Sequence, residues 1–223
     1  MVGWIIGPAL KRQCGSIALR RYANQITASR MPDASSNIPD GPARSSAFER
    51  WAPTIYFIVG QLGWFACVLS AAHDVPWIGV AVTLVLVAVH LARVDRRVPE
   101  LKLLASVIVI GAVWESVPVA AGLLVYPNGT VLPGAAPYWI LALWALFAAQ
   151  FNTTFGWLKS RMLLASVLGA VAGPLSFRGG AALGAVRFAQ PLAATLTLAA
   201  GWAVLLPVLI LLSRRWDGVH TNA

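Results

Sequence analysis

The sequence predicts an all-α membrane protein, a bundle of six transmembrane helices with both termini cytoplasmic. Three observations carry this. Hydrophobic residues make up 58% of the 223 residues and charged residues only 11%, against about 25% charged in a typical soluble chain. A globule of that size could neither cover its surface with so few charges nor bury so much Leu, Val and Ala. Beyond residue 50 the apolar residues gather into six long stretches, and the basic residues collect between alternate ones. Disorder is excluded by the same composition, and Cys14 and Cys67, the two cysteines, cannot build a disulfide scaffold.

The stretches run Pro53–Ala72, Val75–Ala92, Leu103–Tyr126, Pro137–Phe155, Met162–Phe177 and Pro191–Leu212. About 20 apolar residues in a helix cross a hydrocarbon core of roughly 30 Å. The fifth stretch is short, and Arg161 and Arg178 at its ends could snorkel to reach the interfaces. Continuous apolarity favours helices over barrel strands, whose lumen would impose alternation.

Charge sets the orientation. Seven basic residues precede the first span: Lys11, Arg12, Arg20, Arg21, Arg30, Arg44 and Arg50. Arg93, Arg96, Arg97 and Lys102 join spans two and three, Lys159 and Arg161 join spans four and five, and Arg214 and Arg215 follow span six. With six spans all of these fall on one side, leaving Arg178 and Arg187 for the other. That side is the cytoplasm. Topology and contact with anionic lipid therefore explain the net charge of +9. A nucleic-acid partner is not expected, because the charges are spread over four segments.

Three regions follow: a basic, largely disordered tail over 1–50, a transmembrane domain over 51–215, and a cytoplasmic tail over 216–223. Within the first, Lys11–Arg30 could lie on the membrane as a basic helix, with Ile17, Leu19, Tyr22 and Ile26 towards the lipid. Of the ten tryptophans, Trp51, Trp77, Trp139, Trp157 and Trp216 fall near span ends, where indole prefers to sit. Trp64, Trp114, Trp144 and Trp202 fall near the middles of spans and mark either packing or a ligand pocket.

One carboxylate, Glu115, lies about midway along the third expected span. An ionisable group there costs a few kcal/mol to insert and must face protein or water. It is the candidate catalytic acid or base, or else a hydrogen-bonding tie between helices. Pro118 cannot donate to the carbonyl of Trp114, which frees an acceptor beside it. Gln61, Trp64, Trp114, Trp144 and Asn152 are candidate ligand-binding residues around this layer. Arg178 and Arg187 could hold a phosphate or carboxylate headgroup, or only anchor at the interface. His90, near the end of span two, is expected to be interfacial. Gly169 and Gly173, and Gly180 and Gly184, match the small-xxx-small pattern of close helix contact. The segment Ser176–Gln190 is too apolar for an ordinary loop and reads as re-entrant or interfacial.

No metal or cofactor is expected. His73, His90 and His220 make no paired-histidine motif, and no phosphate-binding loop, dinucleotide fingerprint, Cys-x-x-Cys or Gly-x-Ser-x-Gly occurs.

Gly60-Gln61-Leu62-Gly63-Trp64-Phe65, Trp114-Glu115-Ser116, Pro137-Tyr138-Trp139-Ile140 through Leu143-Trp144, and Gly173-Pro174-Leu175-Ser176-Phe177 together resemble a group of bacterial inner-membrane proteins catalogued as a domain of unknown function. The resemblance covers roughly residues 51–213. It implies a multi-pass inner-membrane protein and supplies no reaction, cofactor or catalytic residue. The company such proteins keep, among fatty-acid-modifying enzymes, implies lipid handling. The expected partners are membrane lipids and a small-molecule or lipid substrate, with a protein partner or a homo-oligomer left open. Three function classes follow: binding or modification of a lipid at a mid-membrane site around Glu115, proton-coupled transport of a small solute, and a structural or accessory role in a membrane complex.

Overall fold

A computed structural model describes residues 47–219. The expected surface helix over Lys11–Arg30 and the rest of the tail up to residue 46 lie outside the described residues, as do residues 220–223. Six α-helices and one short two-stranded sheet make up the described chain: α1 (Ala47–Ala72), α2 (Pro76–Arg93), α3 (Arg97–Ala120), β1 (Leu124–Val125), α4 (Tyr138–Ala148), α5 (Met162–Ala182), β2 (Arg187–Phe188) and α6 (Pro191–Arg215). All but α4 are long and apolar enough to cross a membrane.

Each boundary has a local cause. Asp74, held at a φ of 63°, turns the chain after α1, and Pro76 starts α2 at a position where its missing N–H costs nothing. Extended backbone at Val94 ends α2. Arg214 and Arg215 sit in the last turn of α6, where the helix dipole favours positive charge.

The third helix is displaced from the apolar window. It begins at Arg97, six residues before Leu103, and stops at Ala120 rather than Tyr126. Basic and acidic residues are tolerated in a first turn at the membrane edge, whereas Pro118 and the positive-φ Gly122 close the other end. Glu115 consequently sits in the last turns of α3, about 7 Å from its end at 1.5 Å per residue. It is not at mid-helix.

The fourth expected span is corrected more deeply. Its helix has 11 residues, about 16 Å in length, and residues 149–155 continue as turns towards a 3-10 turn at Gly156–Leu158. Gln150, Asn152, Thr153 and Thr154 offer the backbone competing hydrogen bonds, as when the Thr153 hydroxyl donates to the Ala149 carbonyl at 3.1 Å. The bundle tolerates this irregular backbone because α4 is its central element. Trp139, Ile140, Trp144, Ala145, Leu146 and Ala148 are all buried, against α1, α2 and α3, and such backbone is allowed at membrane depth only where protein covers it.

The segment Ser176–Gln190 is not a separate helix. Its first part extends α5 to Ala182, Gly184 turns at a φ of 91°, and β2 pairs antiparallel with β1, Leu124 opposite Phe188 and Val125 opposite Arg187. Two helix pairs complete the packing. In α1 and α2, the Ser70 hydroxyl accepts from the Gly79 N–H at 3.1 Å and Cys67 meets Thr83 at 3.2 Å. In α5 and α6, Gly169 and Gly173 lie against Trp202. The second small-xxx-small pattern makes no such helix contact, since Gly184 belongs to a turn. Leu62, Leu84, Val113, Leu163 and Val204 point outward, each more than 60% exposed. That surface would aggregate in water and is what lipid requires.

Candidate functional site

Two polar layers cross the apolar core, and α3 supplies an acid to each. Glu100 lies in its first turn and Glu115 fifteen residues later, about 22 Å along the axis. Between them α3 buries Leu103, Leu104, Val107 and Gly111, so its inner face there is apolar.

In the layer near the far end, Glu115 is 1% exposed. Its Oε1 accepts a hydrogen bond from the Trp144 indole at 3.2 Å. Trp144 stacks on Trp202, ring centroids 5.3 Å apart and 18° from parallel. Flat rings fit here because the facing positions lack a β-carbon: Gly111 receives Trp144 and Gly201 receives Trp114. Glu115 Oε2 and the indole nitrogens of Trp114 and Trp202 are buried without a hydrogen-bond partner among the described residues. The buried Tyr126 hydroxyl, just beyond α3, is also unpartnered among the described residues. Its burial, and then the charge of Glu115, push its pKa well above the usual range.

The other layer lies at the basic end. Glu100 is fully buried and His90 is 2% exposed. His90 Nε2 stands 2.9 Å from Glu100 Oε1, while Glu100 Oε2 accepts from Asn152 Nδ2 at 3.0 Å and from the Gly218 N–H at 3.2 Å. Asn152 Nδ2 also donates to the Trp216 carbonyl at 3.1 Å. Lys159 Nζ donates to Asn152 Oδ1 at 2.6 Å and pairs with Asp217 Oδ2 at 2.8 Å. The Arg96 N–H donates to the Gly218 carbonyl at 2.9 Å. α2, α3, the turns after α4 and the chain beyond α6 are thereby tied at one point.

An ionised carboxylate can only accept, so Nε2 is the donor to Glu100, and in the neutral imidazole Nδ1 is then the acceptor. That Nδ1 is buried without a partner among the described residues. His90 also lines a cleft of about 90 Å³ between α1, α2 and α4, together with Tyr56, Gly60, Leu86, Arg93 and Gln150. Ile55 and Val89, which are 40% and 50% exposed, lie at the same cleft, so it reaches the apolar outer surface.

The structure therefore separates the residues singled out from sequence. Glu115, Trp114 and Trp144 share one layer. Asn152 belongs to the other, with His90. Gln61 is exposed on the outer face of α1, and buried Gln150 is the glutamine packed at Gly60. Trp64 lies edge-on to Phe65 at 5.0 Å and close to Gly179 of α5. Arg178 donates to the Thr195 hydroxyl at 3.0 Å and stands over the Phe188 ring at 5.7 Å, joining α5 to α6 and β2. Arg187 is exposed in β2. Both arginines lie at the end of the bundle opposite His90.

Glu100 escaped the sequence reading, which left Glu115 as the one acid away from tails and membrane edges. The run Arg96-Arg97-Val98-Pro99-Glu100 looks like a solvated helix start, and only its spacing from Arg97 into the helix turns Glu100 inward. Among the described residues no group of three or more His, Cys, Asp or Glu side chains could hold a metal ion.

Neither the curated proteins nor the solved structures contain a match to this chain. A family model does match, over residues 53–208, and its description is DUF2878, protein of unknown function. That match takes in α2 to α5 whole and most of α1 and α6, and with them His90, Glu100, Glu115 and Asn152: this multi-pass helical membrane protein belongs to the DUF2878 family.

Proposed function

We propose that this protein sits in the bacterial inner membrane with both termini cytoplasmic and binds or modifies a lipid, with His90 and Glu100 as its working pair. One observation carries the reading. A buried histidine is oriented by a buried carboxylate, keeps its second nitrogen unpartnered among the described residues, and lines a cleft that reaches the apolar surface. Carboxylate on one ring nitrogen and substrate on the other is the arrangement by which a histidine accepts a proton from a hydroxyl or returns one to a leaving oxygen. The outer wall of the cleft, with Ile55, Val59 and Leu86, suits an acyl chain. Glu115 fits a structural part better, since its hydrogen bond goes to a neighbouring helix within a closed aromatic layer. The apolar stretch of α3 between the two acids speaks against a proton path along the bundle.

The test is lipid profiling of cells that lack the gene and carry wild type, His90→Gln, Glu100→Gln or Glu115→Gln at matched membrane levels. The deletion should change the lipid profile, and Glu115→Gln should restore it. His90→Gln and Glu100→Gln should not. A wild-type profile in the deletion strain removes the lipid reading, and full restoration by His90→Gln removes the assignment of the pair.

A further inference from the structure

On the other side of the Glu100 network from His90 lies a larger cleft, of about 520 Å³, between the start of α3 and the end of α6. Its lining holds five cations: Arg96, Arg97, Lys102, Arg214 and Arg215. All five are exposed, and none is in a salt bridge with an acid among the described residues. The one carboxylate in the lining, Asp217, is paired with Lys159 at 2.8 Å. Arg96 caps α3 without a side-chain hydrogen bond, so first-turn N–H groups add the positive end of the helix dipole. Five like charges around one cleft repel each other until an anion enters, and forked guanidinium groups match tetrahedral oxyanions. Loose tails would not hold such charges together. Here the Arg96 N–H to Gly218 carbonyl bond fixes the chain after α6 beside the start of α3.

From this we infer that the cleft binds a phosphate group, as a phosphate-bearing compound or as a lipid headgroup. Its volume accommodates a glycerophosphate, and Val98 in its lining, 63% exposed, offers apolar surface to attached chains. The inference does not rest on the role proposed for His90.

Isothermal titration calorimetry of the full chain in neutral detergent tests it, with inorganic phosphate, dihexanoyl phosphatidic acid and dihexanoyl phosphatidylcholine as probes. Saturable binding is expected for phosphatidic acid, weakened at least tenfold by Arg97→Gln with Arg214→Gln. Arg178→Gln with Arg187→Gln, at the opposite end, should bind as wild type. Matching melting temperatures show that the variants are folded. Phosphate binding as tightly as phosphatidic acid identifies a soluble phosphate compound, and a tenfold preference for the lipid identifies a headgroup. No saturable heat with either anion overturns the inference. So does wild-type affinity in the Arg97/Arg214 variant, equal weakening at the opposite end, or phosphatidylcholine binding as tightly as phosphatidic acid.

Discussion

Asn152 donates to Glu100 at 3.0 Å across 52 residues of sequence, and this bond joins the turns after α4 to the first turn of α3. The amide has little capacity left over. One side-chain hydrogen goes to Glu100, another contact goes to the Trp216 carbonyl, and its oxygen accepts from Lys159. A hub of this kind suits a place where four chain segments meet, because a single planar group bonds in three directions.

Replacing Asn152 should therefore cost more than a surface change. Asn152→Leu removes a donor from a buried carboxylate and is expected to destabilise by about 2–3 kcal/mol. Asn152→Asp should cost more, by setting a second carboxylate against Glu100. Thermal unfolding in mild detergent measures both, and unchanged melting of Asn152→Leu would show that the network contributes nothing.

Lys159 stands at the rim of the same network, with its side chain 19% exposed. Lys159→Gln keeps a donor for Asn152 and loses only the ion pair, so it should cost no more than about 1 kcal/mol. The difference from wild type should shrink in high salt. A loss as large as that of Asn152→Leu would mean that the ion pair, not the amide, holds the segments.

At Glu115 the expected energetics are those of an interhelical tie. A double-mutant cycle of Glu115→Met, which removes the acceptor, and Trp144→Phe should give a coupling of about 0.5–1.5 kcal/mol. Glu115→Gln alone should be mild, since the amide oxygen can still accept from the indole. A coupling near zero would show that the 3.2 Å contact has no weight in stability.

Gly111 and Gly201 make a sharper claim about the aromatic layer. A β-carbon at either would run into an indole, Trp144 in one case and Trp114 in the other. Gly111→Val and Gly201→Val should each destabilise by about 1–3 kcal/mol through overpacking. Gly156, with open space around it, is the control, and Gly156→Ala should melt within a degree or two of wild type.

Composition and charge placement alone determined that this is a helical membrane protein, that six apolar segments follow residue 50, and that the basic residues collect at one end. These are properties of transfer from water to lipid, additive over residues and indifferent to what each side chain touches. The limits of α3 and α4 depended on more. Whether Glu100 counts as an edge residue or a buried one, and whether Gln150–Thr154 continues a helix or leaves it, is settled by the neighbours that accept or supply hydrogen bonds.

The candidate site divides in the same way. Glu115 was legible because a charge inside an apolar run is costly wherever it points. His90, Glu100, Asn152 and Lys159 were scattered among segment ends, each unremarkable by itself. Only packing linked them in a chain, His90 to Glu100, Glu100 to Asn152 and Asn152 to Lys159, since a buried polar group is tolerable in lipid only when partners from distant segments converge on it. The sequence could therefore show where polarity was expensive, and tertiary structure decided which polar groups met to lower that cost.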